Sequence, residues 1–199
     1  MSLRFRSLGS GSAGNATLVE SGDGLRRRNL LIDCGMPLRR LTARLQQAGV
    51  EPGGLAAVFI THEHADHAGC VQQLALRLRI PVWMSRGTHA AMGAPDFDGL
   101  LRQARDGDML DIAGMQLQPF TVPHDAREPL QLRCSDGDRA LGLATDLGHA
   151  SAHVVDSLQR CHALLLEANH DPDMLAASNY PDFLKRRVAG DRGHLSNAA

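Results

Sequence analysis

Leu55-Ala56-Ala57-Val58-Phe59-Ile60-Thr61-His62-Glu63-His64-Ala65-Asp66-His67 decides how the rest of the chain is read. Its first six residues are an apolar run that predicts a buried strand. The seven that follow carry three imidazoles and two carboxylates, so a dense polar cluster stands where a strand ends and a helix begins. His62 and His64 are two apart and point the same way in an extended segment. Asp66 and His67 fall on the turn into the next helix and aim at a second point nearby. Neutral imidazole and carboxylate are ligands for zinc and similar divalent metals. One such cluster can seed two adjacent metal positions, the arrangement used for phosphoryl and related hydrolyses. The expectation is a dinuclear metal hydrolase.

Outward from that stretch, polar residues recur at the ends of apolar strands. Asp33 ends Asn29-Leu30-Leu31-Ile32, His124 follows Phe120-Thr121-Val122-Pro123, and Asp146 follows Ala144-Thr145. His194 sits in a glycine-flanked segment near the last residue. A buried carboxylate or imidazole at a strand end is costly unless it is paired or metal-bound. Several of them converging on one rim make a metal site the economical explanation.

The remaining elements follow from periodicity and turn chemistry. Leu3 to Leu8 alternates as a half-buried strand, and Gly9 to Asn15 is a small-residue loop read as a tight turn rather than a phosphate cradle. Pro37 opens a helix to about Ala48, with leucines on one face and arginines on the other. A helix is expected from about His67 to Arg79, and Pro95 to Asp108 reads as a variable-looking polar stretch. Two hairpins follow, at residues 109–122 and 130–145. A helix from Ala150 to Gln159, a strand at 163–166 and two short helices complete the chain. Two sheets packed face to face with helices outside satisfy this order, an α/β fold of αββα type in one domain, 1–199.

Composition sets the outer limits. With 199 residues the chain can bury a real core, and its net charge of −1 gives no overall basic excess for nucleic acid. Arg26-Arg27-Arg28, Arg39-Arg40 and Lys185-Arg186-Arg187 are local clusters, each read first as solvated surface. The cysteines, at 34, 70, 134 and 161, make no C-x-x-C pair and read as reduced thiols. Without an apolar signal core or a run of membrane-spanning length, the expected compartment is the cytoplasm.

The motif His62-x-His64-x-Asp66-His67, with its companions in order and spacing, resembles the metallo-β-lactamase superfamily, whose fold is the αββα sandwich. The resemblance implies that His62, His64 and His124 hold one metal, that Asp66, His67 and His194 hold a second, and that Asp146 bridges them. Asp33 would orient the histidine loop by hydrogen bonds. Two divalent ions are implied, with zinc favoured by the imidazoles and manganese admitted by the carboxylates. The intact Asp66 and the bridging carboxylate look like the phosphodiesterase and thioesterase branches rather than the true β-lactamases.

Four segments narrow the resemblance to the bacterial YycJ/WalJ family: Gly9 to Thr17, Leu30 to Gly35, Glu167-Ala168-Asn169-His170-Asp171 and Gly193-His194-Leu195-Ser196-Asn197. That family is similar to ribonuclease Z and ribonuclease J and is associated with 5′ exonuclease activity on DNA. Its members usually continue well past the His-Leu-Ser-Asn segment, so we expect a missing C-terminus or an abbreviated last layer. The expected chemistry is in-line attack on phosphorus by a hydroxide bridging the metals. Asp66 would orient it as a catalytic residue, and His170 would serve as acid or phosphate ligand. Ser196 and Asn197 would hydrogen-bond a substrate phosphate, or cap a helix. The expected partner is nucleic acid, DNA or RNA. The alternatives on this scaffold are a cyclic-phosphate phosphodiesterase, a glyoxalase-type thioesterase, or a non-catalytic binding protein, against which an intact ligand set argues. A nuclease needs a positive track to the metals, for which Arg26 to Arg28 and Lys185 to Arg187 are the candidates.

Overall fold

The structure, a computed structural model, describes residues 2–22 and 27–199. Two sheets stack face to face. The first orders its strands β1 (Ser2–Gly9), β2 (Ala16–Gly22), β3 (Arg27–Ile32), β4 (Leu55–Phe59), β5 (Val82–Met84) and β6 (Leu101–Gln103). It is antiparallel from β1 to β3 and parallel from β3 to β6. The second contains β7 (Leu110–Ile112), β8 (Met115–Thr121), β9 (Leu130–Ser135), β10 (Ala140–Ala144) and β11 (Ala163–Leu166), with only the β10–β11 pair parallel. The α-helices are α1 (Leu38–Gln47), α2 (Ala65–Ala68), α3 (Val71–Leu78), α4 (Arg86–Ala91), α5 (Ala152–Leu158), α6 (Pro172–Ala177) and α7 (Asp182–Val188).

Alternation along the strands builds the layers. Leu30, Ile32, Ala57 and Phe59 face Leu117, Leu130, Leu132, Leu141 and Leu143 between the sheets. Their neighbours Leu31 and Val58 turn the other way, onto Leu41 and Leu45 of α1 and Val71, Leu74 and Ala75 of α3. On the outer face of the second sheet, Phe120, Ala144 and Leu147 pack with Val154 of α5 and with Leu195. Both faces of β3 and β4 are therefore covered, which is why these strands read as continuous apolar runs.

Strand direction puts the polar residues on one rim. β3 and β4 are parallel, so Asp33 and the histidine cluster leave the first sheet at the same end. In the second sheet β8 and β10 both oppose β9, and β11 runs with β10. His124, Asp146 and Glu167 thus leave together. A hydrogen bond from Leu130 N to Thr61 O (2.9 Å) joins the two sheets at that rim.

Several sequence expectations need correction. β1 is an edge strand that buries little beyond Leu8, so its alternation does not mark a half-buried strand. The helix expected from His67 to Arg79 is broken at Gly69–Cys70 into α2 and α3. Gly69 approaches the backbone of Ala65 and Gly35 too closely for a side chain, and the break re-aims the chain behind the cluster. The stretch from Pro95 to Asp108 contains β6, too short at three residues to show a period. The basic cluster at 26–28 falls partly outside the described residues; Arg27 and Arg28 start β3 at the end opposite Asp33. Five residues of strand put Arg28 about 17 Å from that rim.

Gly35 sets how closely the histidine loop docks. A Cβ there would fall 1.6 Å from the Asp66 carbonyl oxygen and 2.5 Å from His67 N. Gly35→Ala is therefore expected to destabilise the fold by at least about 3 kcal/mol in urea titration. Gly53→Ala, with nothing within 4 Å of the new methyl, is expected to stay within about 1 kcal/mol. Equal effects at the two positions would contradict this packing.

Candidate metal centre

Asp33 is where the site begins. It has a φ of 60°, in the left-handed region uncommon for a residue with a side chain, and its carboxylate is buried. That carboxylate accepts hydrogen bonds from Thr61 N (2.9 Å), Thr61 Oγ1 (2.9 Å) and His67 Nδ1 (2.8 Å). With the Thr61 proton given to Asp33, its oxygen is free to accept from His62 Nδ1 at 3.0 Å. His124 Nδ1 donates to the Gly193 carbonyl (3.1 Å), and His194 Nδ1 donates to Glu167 (2.6 Å). Each of these four rings has one nitrogen committed to the protein, which leaves Nε2 as the outward donor.

Those donors converge. His62 Nε2 lies 3.0 Å from His64 Nδ1, which lies 3.4 Å from His124 Nε2. A tetrahedral zinc site with Zn–N bonds of about 2.0–2.1 Å separates its ligand nitrogens by about 3.3 Å. Three lone pairs facing one another at this spacing fit a cation. A second group, His62, His67 and Asp146, adjoins the first, with His67 Nε2 3.1 Å from Asp146 Oδ2. A third joins Asp146, Glu167 and His194, where the 3.5 Å approach to Asp146 is made by His194 Nδ1, the nitrogen that Glu167 also holds. Asp146 belongs to two of these groups, consistent with a carboxylate between two ions. Asp66 stands outside the three, its Oδ2 3.8 Å from His67 Nε2. Asn15 holds it in place, donating to Asp66 Oδ2 (3.1 Å) and to its carbonyl (3.2 Å).

The electrostatics suit the same assignment. Burial, then the proximity of His67 and the other three rings, keeps His62 neutral far below the usual imidazole range. Burial also lowers His124, against the pull of Asp146 and Asp125. Burial works against a charged His67 too, but Asp33 and Asp146 outweigh it and push the ring up to about 10. The Glu167 hydrogen bond raises His194 despite its burial. Burial would raise Asp146, yet its hydrogen bond with His67 holds it below the usual carboxylate range. The His67 Nε2 position is contested without a cation. A proton there suits Asp146, while a lone pair suits the Asn15 amide 2.9 Å away.

Two cavities flank the cluster, and Asp66, Asp146 and His194 line both. One, of about 370 Å³, is walled by the Gly9–Ser12 loop, Thr17, Thr145 and Asn169. The other, of about 340 Å³, is lined by His64, Asp125, Leu184 and Arg187. Arg187 makes a short hydrogen bond to Asp125, which pulls Asp125 below the usual carboxylate range although burial opposes it.

His170, Ser196 and Asn197 line neither cavity. His170 pairs through its backbone with Ser196 and Asn197, and its Nδ1 is buried without a partner. Ser196 Oγ accepts from Ala198 N at 3.3 Å in a local turn. Sequence reasoning missed Glu167, Asn15 and Asp125 as parts of the site, and named Arg187 only within the basic cluster at 185–187. For Glu167 the signal was present, a carboxylate directly after an apolar strand, as at Asp33.

Residues 9–166 match the metallo-beta-lactamase superfamily. The chain belongs to that superfamily. It is 32% identical to exodeoxyribonuclease YycJ of Bacillus anthracis over 99% of its own length and 74% of the relative's. It is 31% identical to exodeoxyribonuclease WalJ of Streptococcus pneumoniae over 98% of its length and 72% of the relative's. The chain thus spans about three quarters of these relatives and belongs to their YycJ/WalJ family. Among solved structures, the metallo-beta-lactamase fold protein YhfI of Bacillus subtilis superposes with a TM-score of 0.74 at 16% identity, covering 98% of this chain and 78% of that one. At that identity the likeness speaks to the fold, which is the αββα sandwich expected.

The shifted imidazoles make a pH prediction for the metal-free protein. His67 is raised from 6.5 to about 10, so its stabilisation is complete below pH 6.5 and is lost as pH rises toward 10. His62 and His124 are lowered, so the unfolded chain binds more protons below pH 6.5 and stability falls there too. Thermal melts of the chelated protein should peak near pH 6.5. An ion bound at His67 would take the place of its proton, so loading with a divalent metal should remove the alkaline decline. A flat profile without metal would contradict the His67 environment.

Proposed function

We propose that this protein is a dinuclear metal-dependent phosphodiesterase acting on nucleic acid, a 5′ exonuclease-like DNA nuclease. The observation that carries this reading is the likeness to two exodeoxyribonucleases along nearly the whole chain. The donor set supports it. His62, His64 and His124 would hold one ion, and His67, Asp66 and His194 the other, with Asp146 between them. Imidazole predominance favours zinc, and the carboxylates admit manganese. When bound, such ions lower the pKa of water and neutralise charge developing on a phosphoryl group.

The chain's own residues supply orientation and counter-charge. Asp33 and Glu167 accept from Nδ1 of His67 and His194, which would leave Nε2 of each ring to bind an ion. Asp66, fixed by Asn15, would accept a hydrogen bond from the attacking water. Arg187, exposed at the mouth of the second cavity, would pair with a phosphate of the bound strand. It takes the role first divided between two basic clusters, because Arg27 and Arg28 lie at the far end of β3. Free thiols at all four cysteines and a nucleic-acid substrate imply a cytoplasmic protein.

Incubation of zinc- or manganese-loaded protein with 5′-labelled single- and double-stranded DNA and RNA, beside bis-p-nitrophenyl phosphate, tests the reading. Release of labelled nucleotides from DNA is expected, with Asp146→Asn slower by at least about 100-fold. Turnover of the small ester alone would favour the cyclic-phosphate or thioesterase alternative and overturn the nuclease reading.

A further inference from the structure

Few aromatic residues are exposed among the described residues. The chain has five phenylalanines, one tryptophan and one tyrosine. Phe59, Phe97 and Phe120 are the large buried side chains of the cores. Among the described residues the large exposed aromatics are Phe5, Tyr180 and Phe183. The last two are three residues apart, at 55% and 67% exposure. Phe183 lies in the first turn of α7, whose next turn carries Arg186 and Arg187 on its exposed surface. One helical turn separates Phe183 from Arg187, about 6 Å along the axis. Leu184, Arg187 and Val188 of the same helix line the cavity that also contains His64, Asp66 and Asp146. The helix that carries Phe183 thus also borders the mouth of the candidate metal centre.

The chemistry of this strip is mixed. Lys185 is committed to the Ala176 carbonyl at 2.6 Å, and Arg187 is paired with Asp125. Exposed rings beside arginines are the combination that holds unpaired nucleic-acid bases, since every base offers a face for stacking and the cations follow the backbone. A protein-binding patch would not need cations leading into a hydrolytic cavity. We propose that Tyr180 and Phe183, with Arg186, form a stacking platform for the unpaired bases next to the phosphate being cut, and that Arg187 guides the backbone from the platform to the metals. The proposal rests on the nuclease reading and names the surface and the form of its substrate.

The test is binding rather than cleavage. Fluorescence anisotropy of the zinc-loaded protein is measured with a short phosphorothioate oligothymidine, which resists hydrolysis, and with an abasic phosphorothioate strand of equal length. The wild type should bind the thymidine strand more tightly than the abasic one. Phe183→Ala and Tyr180→Ala should each weaken the thymidine strand by roughly 5- to 100-fold while changing the abasic strand little. Phe183→Trp should restore the preference, and Phe5→Ala, an exposed ring on β1, should leave it intact. Equal affinity of the wild type for both strands overturns the platform. So does unchanged binding by Phe183→Ala, including the case in which that variant instead dissociates an oligomer in gel filtration. If DNA is still cleaved when the platform fails, the nuclease reading stands alone; if the wild type neither binds nor cleaves nucleic acid, both fall.

Discussion

The Asp33 carboxylate is the constraint on which the site depends. It is buried at the end of β3 in a backbone conformation that side chains rarely adopt, and it receives three hydrogen bonds from the loop after β4. A buried charge with fewer partners would cost several kcal/mol. Here the partners are the residues whose positions matter: Thr61, which in turn holds His62, and His67 itself. One carboxylate therefore sets the direction of rings that, on the proposed reading, serve both metal positions. Gly35 two residues later lets the same loop touch the backbone, so anchoring and close approach come from one short segment.

The second sheet repeats the device. Glu167 follows β11 as Asp33 follows β3, and it holds His194 as Asp33 holds His67. It also accepts the backbone N–H of Leu147 at 2.9 Å and of Leu195 at 3.2 Å, tying the Asp146 turn to the His194 segment. The two halves of the centre hang from different sheets. The apolar layer between those sheets, with Phe59 and Ile32 on one side and Leu132 and Leu143 on the other, therefore sets the distance between donors. Core and site are linked physically: a change of volume in that layer moves one set of ligands against the other.

Legibility in the sequence followed the range of the interactions. Asp33, His62 to His67, His124 and Asp146 could be found because each stands at the end of an apolar run, and a polar residue there is a local signal. The αββα order was readable for the same reason, since continuous apolar strands imply cover on both faces. The pairing of His194 with Glu167, and of Arg187 with Asp125 across 62 positions, had no local signal. The distance of Arg27 and Arg28 from the rim could not be judged until the direction of β3 in the sheet was known. The exposure of β1 depends on its place at an edge, and the break between α2 and α3 depends on contact with Gly35. Ser196 and Asn197 read as phosphate contacts from their place after His194, and their backbone pairs with His170.

The central claim is a centre in which Asp146 stands between two ions, each held by residues of both sheets. Anomalous diffraction from crystals of the zinc-loaded protein measures this most directly. The account predicts two anomalous peaks flanking the Asp146 carboxylate, one within bonding distance of His62, His64 and His124 and the other of His67 and His194. A single peak, or peaks that leave Asp146 uncoordinated, would contradict it.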